Sequence, residues 1–159
     1  MNIDSIKSKL QLKSIYHSKA NILDKPSIIG YEKKFKWKWM ATQLNTFIIV
    51  SDFDNDTINN TLIENHLKES FNYAQNNYNG LPRGFLSGLG VISILISSEI
   101  TEESKEYCRK LESEKKWAGF AIPVVIDSKT KTIYYFEKNP IWGRIYYPYF
   151  KEIINSLLI

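Results

Sequence analysis

The sequence has only one cysteine, Cys108, and two histidines in 159 residues. A single thiol cannot form an internal disulfide, and without a CxxC pair or a Cys/His cluster a structural zinc site is not expected. No apolar run approaches the length of a membrane-spanning helix, and the first residues lack the apolar core of a signal peptide. These absences predict a cytoplasmic protein without a membrane segment, a redox motif or a structural metal.

The composition is that of a folded globular protein. Apolar residues make up 43% of the chain, charged residues 24% and aromatic residues 14%, which excludes the aromatic-poor disordered class. The net charge of +4 is mildly basic, whereas nucleic-acid-binding domains usually gather a larger positive charge on one face.

Hydrophobic periodicity predicts an α/β domain. Helical spacing is found over residues 3–16, 58–78, 101–113 and from 147 onward. Strand patterns are found over 28–40, 44–51, 91–97, 120–126 and 132–136. We expect three layers, with a mixed β-sheet flanked by helices, in a single domain over residues 1–159. Residues 1–27 are predicted to be an N-terminal helical extension of a core over 28–159, and Asp56 or Thr57 to be the N-cap of the longest helix.

The order of elements after residue 44 resembles the thioredoxin fold, with an extra N-terminal helix and strand. The strand at 120–126 contains an Ile122-Pro123 pair that looks like the cis-proline strand of that family, and a tight hairpin follows it. The CxxC motif of the family is missing, because the corresponding turn begins Asp52-Phe53-Asp54. The resemblance therefore implies the fold without disulfide exchange.

The same acidic turn also resembles the DxD loop of the haloacid-dehalogenase phosphatases. That resemblance implies a Mg²⁺-dependent phosphohydrolase with Asp52 as nucleophile, Asp54 as acid/base, and Ser97 and Asp127 in supporting positions. The residues after Asp54 depart from the family pattern. The alternative is that Asp54 and Asp56 stabilise the start of a helix, and both interpretations stay open here.

A basic row formed by Lys34, Lys36 and Lys38 alternates with Trp37 and Trp39. Lysines and aromatic rings are the groups that bind single-stranded nucleic acids. On a regular strand, however, these lysines and rings point to opposite faces. The pattern is then typical of an edge strand protected by lysine, and nucleic-acid binding is the weaker interpretation.

The segment before the last helix is rich in aromatic residues, and it includes Trp142 and Arg144. Tryptophan, tyrosine and arginine are enriched in the residues that dominate binding energy at protein interfaces. We predict that Trp142 and Arg144, with Arg83 as a third contributor, bind another protein; the competing interpretation is packing onto the sheet. The sequence thus favours a non-redox, non-catalytic binding domain that uses no cofactor.

Overall fold

The structure is a computed structural model that describes residues 2–81, 87–111 and 119–159. In these ranges the chain forms four α-helices, six strands and one 3₁₀ helix. The helices are α1 (Ile3–Leu12), α2 (Asn60–Asn76), α3 (Glu102–Lys110) and α4 (Tyr147–Leu158). The strands are β1 (Tyr16–Ile22), β2 (Lys25–Lys36), β3 (Thr42–Asp52), β4 (Ser87–Ser97), β5 (Phe120–Asp127) and β6 (Ile133–Tyr134). The 3₁₀ helix, Trp37–Trp39, connects β2 to β3.

All six strands lie in one sheet, and their order in space follows their order in the chain. The pairs β1–β2 and β2–β3 are antiparallel, β3–β4 and β4–β5 are parallel, and β6 returns antiparallel to β5. Helices α2 and α3 supply the two parallel crossovers and pack on one face, while α1 and α4 cover the other. The predicted three-layer α/β architecture with a mixed sheet is confirmed.

The three central strands are apolar because helices cover both of their faces. In β3, Ile48 and Val50 pack toward α1 and α4, and Phe47 and Ile49 pack toward α2. The strands β4 and β5 are buried over almost their whole length in the same way. The short apolar runs in the sequence predicted these strands correctly.

The N-terminal region contains a strand that the sequence did not predict. Helix α1 ends at Leu12, since Ser14 takes a positive φ of 57°, and residues 16–22 then pair with β2. The predicted helix over 3–16 was therefore too long. The polar sequence of β1, with one face exposed, gave no strong strand pattern.

The predicted strand over 28–40 was also too long. The pairing of β2 with β3 extends to the Lys36–Thr42 pair, so residues 37–41 must reverse the chain. They do so through the 3₁₀ helix and positive φ angles at Met40 and Ala41. Trp37 and Trp39 therefore do not share one face, as they would on a regular strand: Trp39 is buried, whereas Trp37 is 81% exposed.

The N-cap of α2 is Asn59, and not Asp56 or Thr57 as predicted. The Asn59 Oδ1 atom accepts a hydrogen bond from the Leu62 amide at 2.9 Å. Asp56 forms an ion pair with Lys25 at 2.8 Å instead. The helix thus begins later than predicted, because Ile58 is held in an isolated bridge with Ile100.

Pro123 lies inside β5, and its preceding peptide bond is trans, since the described residues contain no cis bond. This geometry differs from the cis proline implied by the thioredoxin resemblance. Strand β6 pairs only with Val125 and Ile126, so one edge of β5 is open at Pro123. An open edge is where a strand tolerates proline. The thioredoxin resemblance as a whole stays a prediction.

A chain of buried polar side chains links the sheet to α2. The Ser27 hydroxyl donates to the Lys25 carbonyl at 2.9 Å and contacts the Ser51 hydroxyl at 2.5 Å. Ser51 then contacts His66 Nε2 at 2.6 Å, and Ser93 contacts His66 Nδ1 at 2.7 Å.

Each hydroxyl has one proton, and this fixes the direction of the bonds. Ser27 uses its proton on a carbonyl, so Ser51 must donate to Ser27 and accept from His66 Nε2–H. His66 Nδ1 then carries no proton and accepts from Ser93. The network thus holds a neutral imidazole, and burial lowers the pKa of His66 from 6.5 to about 3.

Protonation of His66 should make the fold sensitive to mild acid. The unfolded chain takes up this proton near pH 6.5, but the folded chain resists it down to about pH 3. Stability due to His66 is therefore complete above pH 6.5 and is lost as the pH falls through this window. Between about pH 6.5 and pH 5 the loss should be on the order of 2 kcal/mol.

Urea unfolding measured at several pH values between these limits checks this expectation. The variant His66→Gln should be less stable at neutral pH and should lose most of the pH dependence. The variant His17→Gln, at an exposed histidine, should keep it. An unchanged pH dependence in His66→Gln would show that another group is responsible.

Candidate functional site

Trp39 is a buried tryptophan that ties the 3₁₀ helix to the segment before α4. Its indole Nε1–H donates to the Ile145 carbonyl at 3.0 Å. The ring contacts Tyr146 and Tyr149, with centroid separations of 5.3 and 5.1 Å. Lys36 Nζ lies 5.0 Å from the centroid of the Trp39 ring, in cation–π range. These contacts fix residues 37–40 against residues 141–146.

Large apolar side chains are exposed on both of these segments and at Phe35, near the end of β2. We name them together the tryptophan surface, which consists of Phe35 (48% exposed), Trp37 (81%), Met40 (82%), Ile141 (96%), Trp142 (60%) and Ile145 (46%). Nine large apolar side chains are exposed in the described part of the chain, and six of them belong to this surface. Isolated exposed apolar residues are ordinary, whereas clusters of them are typical of interaction sites.

The Trp142 ring packs on one side against an aromatic side chain at the border of the hydrophobic core. Its ring lies against Phe120, with a centroid separation of 5.2 Å and an interplanar angle of 33°. Gly143 follows with a φ of +67°, and a Cβ atom there would lie 2.5 Å from Phe120 Cε1. Only glycine fits this close approach without displacement. The glycine therefore holds Trp142 on the rim of the sheet with much of its ring in solvent.

Arg144 is exposed, and the structure gives it no ion pair or hydrogen bond with any other described residue. The competing interpretation, in which Trp142 is fully packed onto the sheet, does not agree with its 60% exposure. Arg83 lies outside the described residues. A binding role for these residues stays a prediction, whereas Trp37 and Met40 were missed because the sequence placed residues 37–40 on a strand.

Lys34, Lys36 and Lys38 do not form the simple row that a straight strand would give. Lys36 is half-buried above Trp39 and Tyr149, and Lys34 and Lys38 are exposed. The pairing of β1 with β2 ends at the Tyr16–Gly30 pair. After Gly30, the side of β2 that faces away from β3 has no partner in β1. Lysines on this open edge agree with protection against edge-to-edge pairing.

The residues of the phosphohydrolase interpretation lie at the other end of the sheet, where β3, β4 and β5 end. In the parallel register, Asp52 pairs with Ile96, and Ser97 pairs with Asp127. The Ser97 hydroxyl donates to the Asp56 carbonyl at 2.7 Å and contacts the Asp54 carbonyl at 3.2 Å. Ser97 thus closes the turn after β3.

The carboxylates at this end also organise turns. Asp52 Oδ1 accepts from the Asp54 amide at 3.0 Å, and Asp127 Oδ1 accepts from the Lys129 and Thr130 amides at 2.8 and 2.9 Å. In the described ranges, no three His, Cys, Asp or Glu side chains come together as a metal site. The phosphohydrolase alternative with Mg²⁺ stays a prediction, without an assembled carboxylate group to support it.

An open groove of about 620 Å³ lies at this end of the sheet, between the start of α1 and strands β1 and β2. Its charged lining mixes acids with bases: Asp4, Asp52, Asp54, Lys7 and Lys19. The groove therefore has no single sign of charge that selects a ligand.

Cys108 is fully buried in α3, and burial raises the pKa of its thiol. A buried thiol with a raised pKa is a poor nucleophile. The geometry thus offers no accessible thiolate for redox chemistry at this residue.

No protein-family model, curated protein or solved structure matches this chain. Among the described helices, none combines the length and apolar character that a membrane crossing requires. The tryptophan surface is therefore interpreted from its own geometry.

The variant Gly143→Ala tests how Trp142 is held. The positive φ and the close approach to Phe120 should together lower the free energy of unfolding by about 1–3 kcal/mol. Amide hydrogen exchange of Tyr146, whose N–H bonds to the Gly143 carbonyl, should also become faster.

The control is Gly88→Ala, where the added Cβ would meet the end of the Leu44 side chain at 3.1 Å and Thr42 Cγ2 at 4.0 Å. Gly88 lies in β4 without a positive φ, so its stability should change by less than the Gly143 variant. Equal stability losses in both variants would contradict a special constraint at Gly143.

Proposed function

We propose that this chain is a non-redox, non-catalytic domain that binds another protein through the tryptophan surface. The observation that carries the proposal is the exposure of Trp37 and Trp142 on segments that Trp39 holds together. Exposed tryptophans on a fixed backbone lose little conformational entropy on binding, because each has only two rotatable side-chain bonds. Such residues are the usual anchors of a protein interface.

The mixture of side chains supports a protein partner. Met40, Ile141 and Ile145 are aliphatic or thioether side chains, and these pack against apolar side chains of a partner. Nucleic-acid bases stack on rings, for which these three residues offer no surface. We therefore rank nucleic-acid binding by Lys34, Lys36 and Lys38 below protein binding.

The proposal includes a cytoplasmic location and no cofactor. It is supported by the single cysteine, which is unpaired and buried and therefore does not indicate a disulfide-forming compartment. The proposal of a non-catalytic domain is supported by the buried thiol of Cys108 and by the carboxylates described above, which bond to turns and do not form an assembled catalytic group.

Photocrosslinking in cells of the source organism tests this function. Trp37 or Trp142 is replaced by the photoreactive residue benzoylphenylalanine, and the cells are irradiated. We expect a covalent adduct with another protein from both positions, because a bound partner must cover these side chains. The adducts are detected by immunoblot and identified by mass spectrometry.

The control carries the same photoreactive residue in place of Ile159. This residue is 79% exposed at the far end of α4, so it is comparably accessible but distant from the surface. Adducts at Trp37 and Trp142 but not at Ile159 support the proposal. Equal labelling at all three positions, or none at the two tryptophans, would refute it.

A further inference from the structure

The two chain segments that carry the tryptophan surface contain charged residues of one sign. Residues 33–42 and 138–146, which carry all six side chains of the surface, contain six basic and no acidic residues. The rest of the chain has 15 basic and 17 acidic residues. The net positive charge of the protein thus comes entirely from the two segments that hold the exposed apolar side chains.

Four of these six basic groups form no ion pair with a described residue. In the ranges that the structure describes, Lys33, Lys34, Lys38 and Arg144 are exposed and have no acidic partner within 4.0 Å. The acids that adjoin the two segments, Glu32 and Glu137, have other partners. Glu32 accepts a hydrogen bond from the Tyr149 hydroxyl at 2.5 Å, and Glu137 lies 3.5 Å from Arg109 Nε.

At the other end of the sheet, where β3, β4 and β5 end, lysines are paired with acids. There Lys25 pairs with Asp56 at 2.8 Å, and Lys129 pairs with Glu99 at 2.5 Å. Two cations at the acidic end are therefore paired with acids, whereas Lys33, Lys34, Lys38 and Arg144 beside the tryptophan surface have no such pair among the described residues. An unmatched positive rim around an apolar centre is complementary to a partner with the opposite charge.

We infer that the partner of the tryptophan surface is an acidic protein segment that presents apolar side chains between its carboxylates. The apolar side chains cover Trp37 and Trp142, and the carboxylates meet Lys38, Arg144 and their basic neighbours. This inference rests on the proposed function and adds the chemistry of the partner to it. Long-range attraction between opposite charges also speeds the encounter of the two proteins.

Selection from a random-peptide phage library provides a defined probe. The library is panned on the full chain, and each enriched peptide is then tested on variants of the surface. We expect the peptides to be rich in Asp and Glu with interspersed Phe, Leu or Trp. Replacing the acids of the best peptide by their amides should weaken its binding about tenfold or more.

Variants of the chain separate the apolar from the charged contribution. Trp37→Ser and Trp142→Ser should weaken peptide binding about tenfold or more. Lys38→Glu and Arg144→Glu should weaken it by a similar factor, and raising the salt from about 0.1 to 0.5 M should weaken it for the wild type. Lys68→Glu, at an exposed site on α2, should leave binding unchanged. Circular dichroism confirms that each variant is folded.

The possible outcomes distinguish the two proposals. Peptides that depend on both tryptophans but show no excess of acids, and no sensitivity to Lys38→Glu, overturn the acidic partner and leave the proposed function standing. Failure to enrich any peptide that depends on the tryptophans overturns both. A single-stranded oligothymidylate that binds this surface more tightly than the best peptide also overturns the acidic protein partner in favour of nucleic acid.

Discussion

The hydrogen bond from the Trp39 indole to the Ile145 carbonyl is the contact on which the tryptophan surface depends. A buried indole N–H must find an acceptor, and the segment before α4 provides it. Because Trp39 is drawn into the core, its neighbours on the short 3₁₀ helix are directed outward, and Trp37 and Met40 become exposed. On the other side of the bond, Gly143 lets the chain pass Phe120 closely enough to leave Trp142 on the rim. One buried side chain therefore organises two exposed segments that lie far apart in sequence.

The two ends of the sheet differ in the hydrogen bonding of their polar groups and in the exposure of their apolar side chains. In open α/β sheets, ligands commonly bind at the carboxyl ends of the strands. In this protein the carboxyl ends carry Asp52, Ser97 and Asp127, but their oxygen atoms bond to nearby backbone groups. The tryptophan surface lies at the amino ends, where apolar side chains and unmatched lysines face solvent. Six of the nine exposed large apolar side chains of the described residues thus lie at the end opposite to the usual ligand site.

The sequence predicted the strands and helices whose burial is periodic, and it failed where tertiary contacts decide the conformation. The apolar runs of β3 to β5 and the stripe of α4 identified the three-layer fold. By contrast, residues 37–40 alternate like a strand, and only the Lys36–Thr42 register and the Trp39 bond convert them into a 3₁₀ helix. Likewise His66 lies on an otherwise ordinary helix, and its serine partners come from separate strands. Trp142 was singled out in the sequence because a tryptophan between Pro140 and Gly143 fits neither a strand nor a helix, and it is 60% exposed in the structure.

The solvent exposure of the individual tryptophans tests most directly whether the tryptophan surface exists in solution. The protein is labelled with 5-fluorotryptophan, the ¹⁹F resonances are assigned by single Trp→Phe substitutions, and a soluble gadolinium chelate is added to broaden accessible nuclei. The account predicts strong broadening for Trp37 and Trp142, which are 81% and 60% exposed, and little for the fully buried Trp39. Trp37 and Trp142 resonances as protected as that of Trp39 would contradict the existence of the surface in solution.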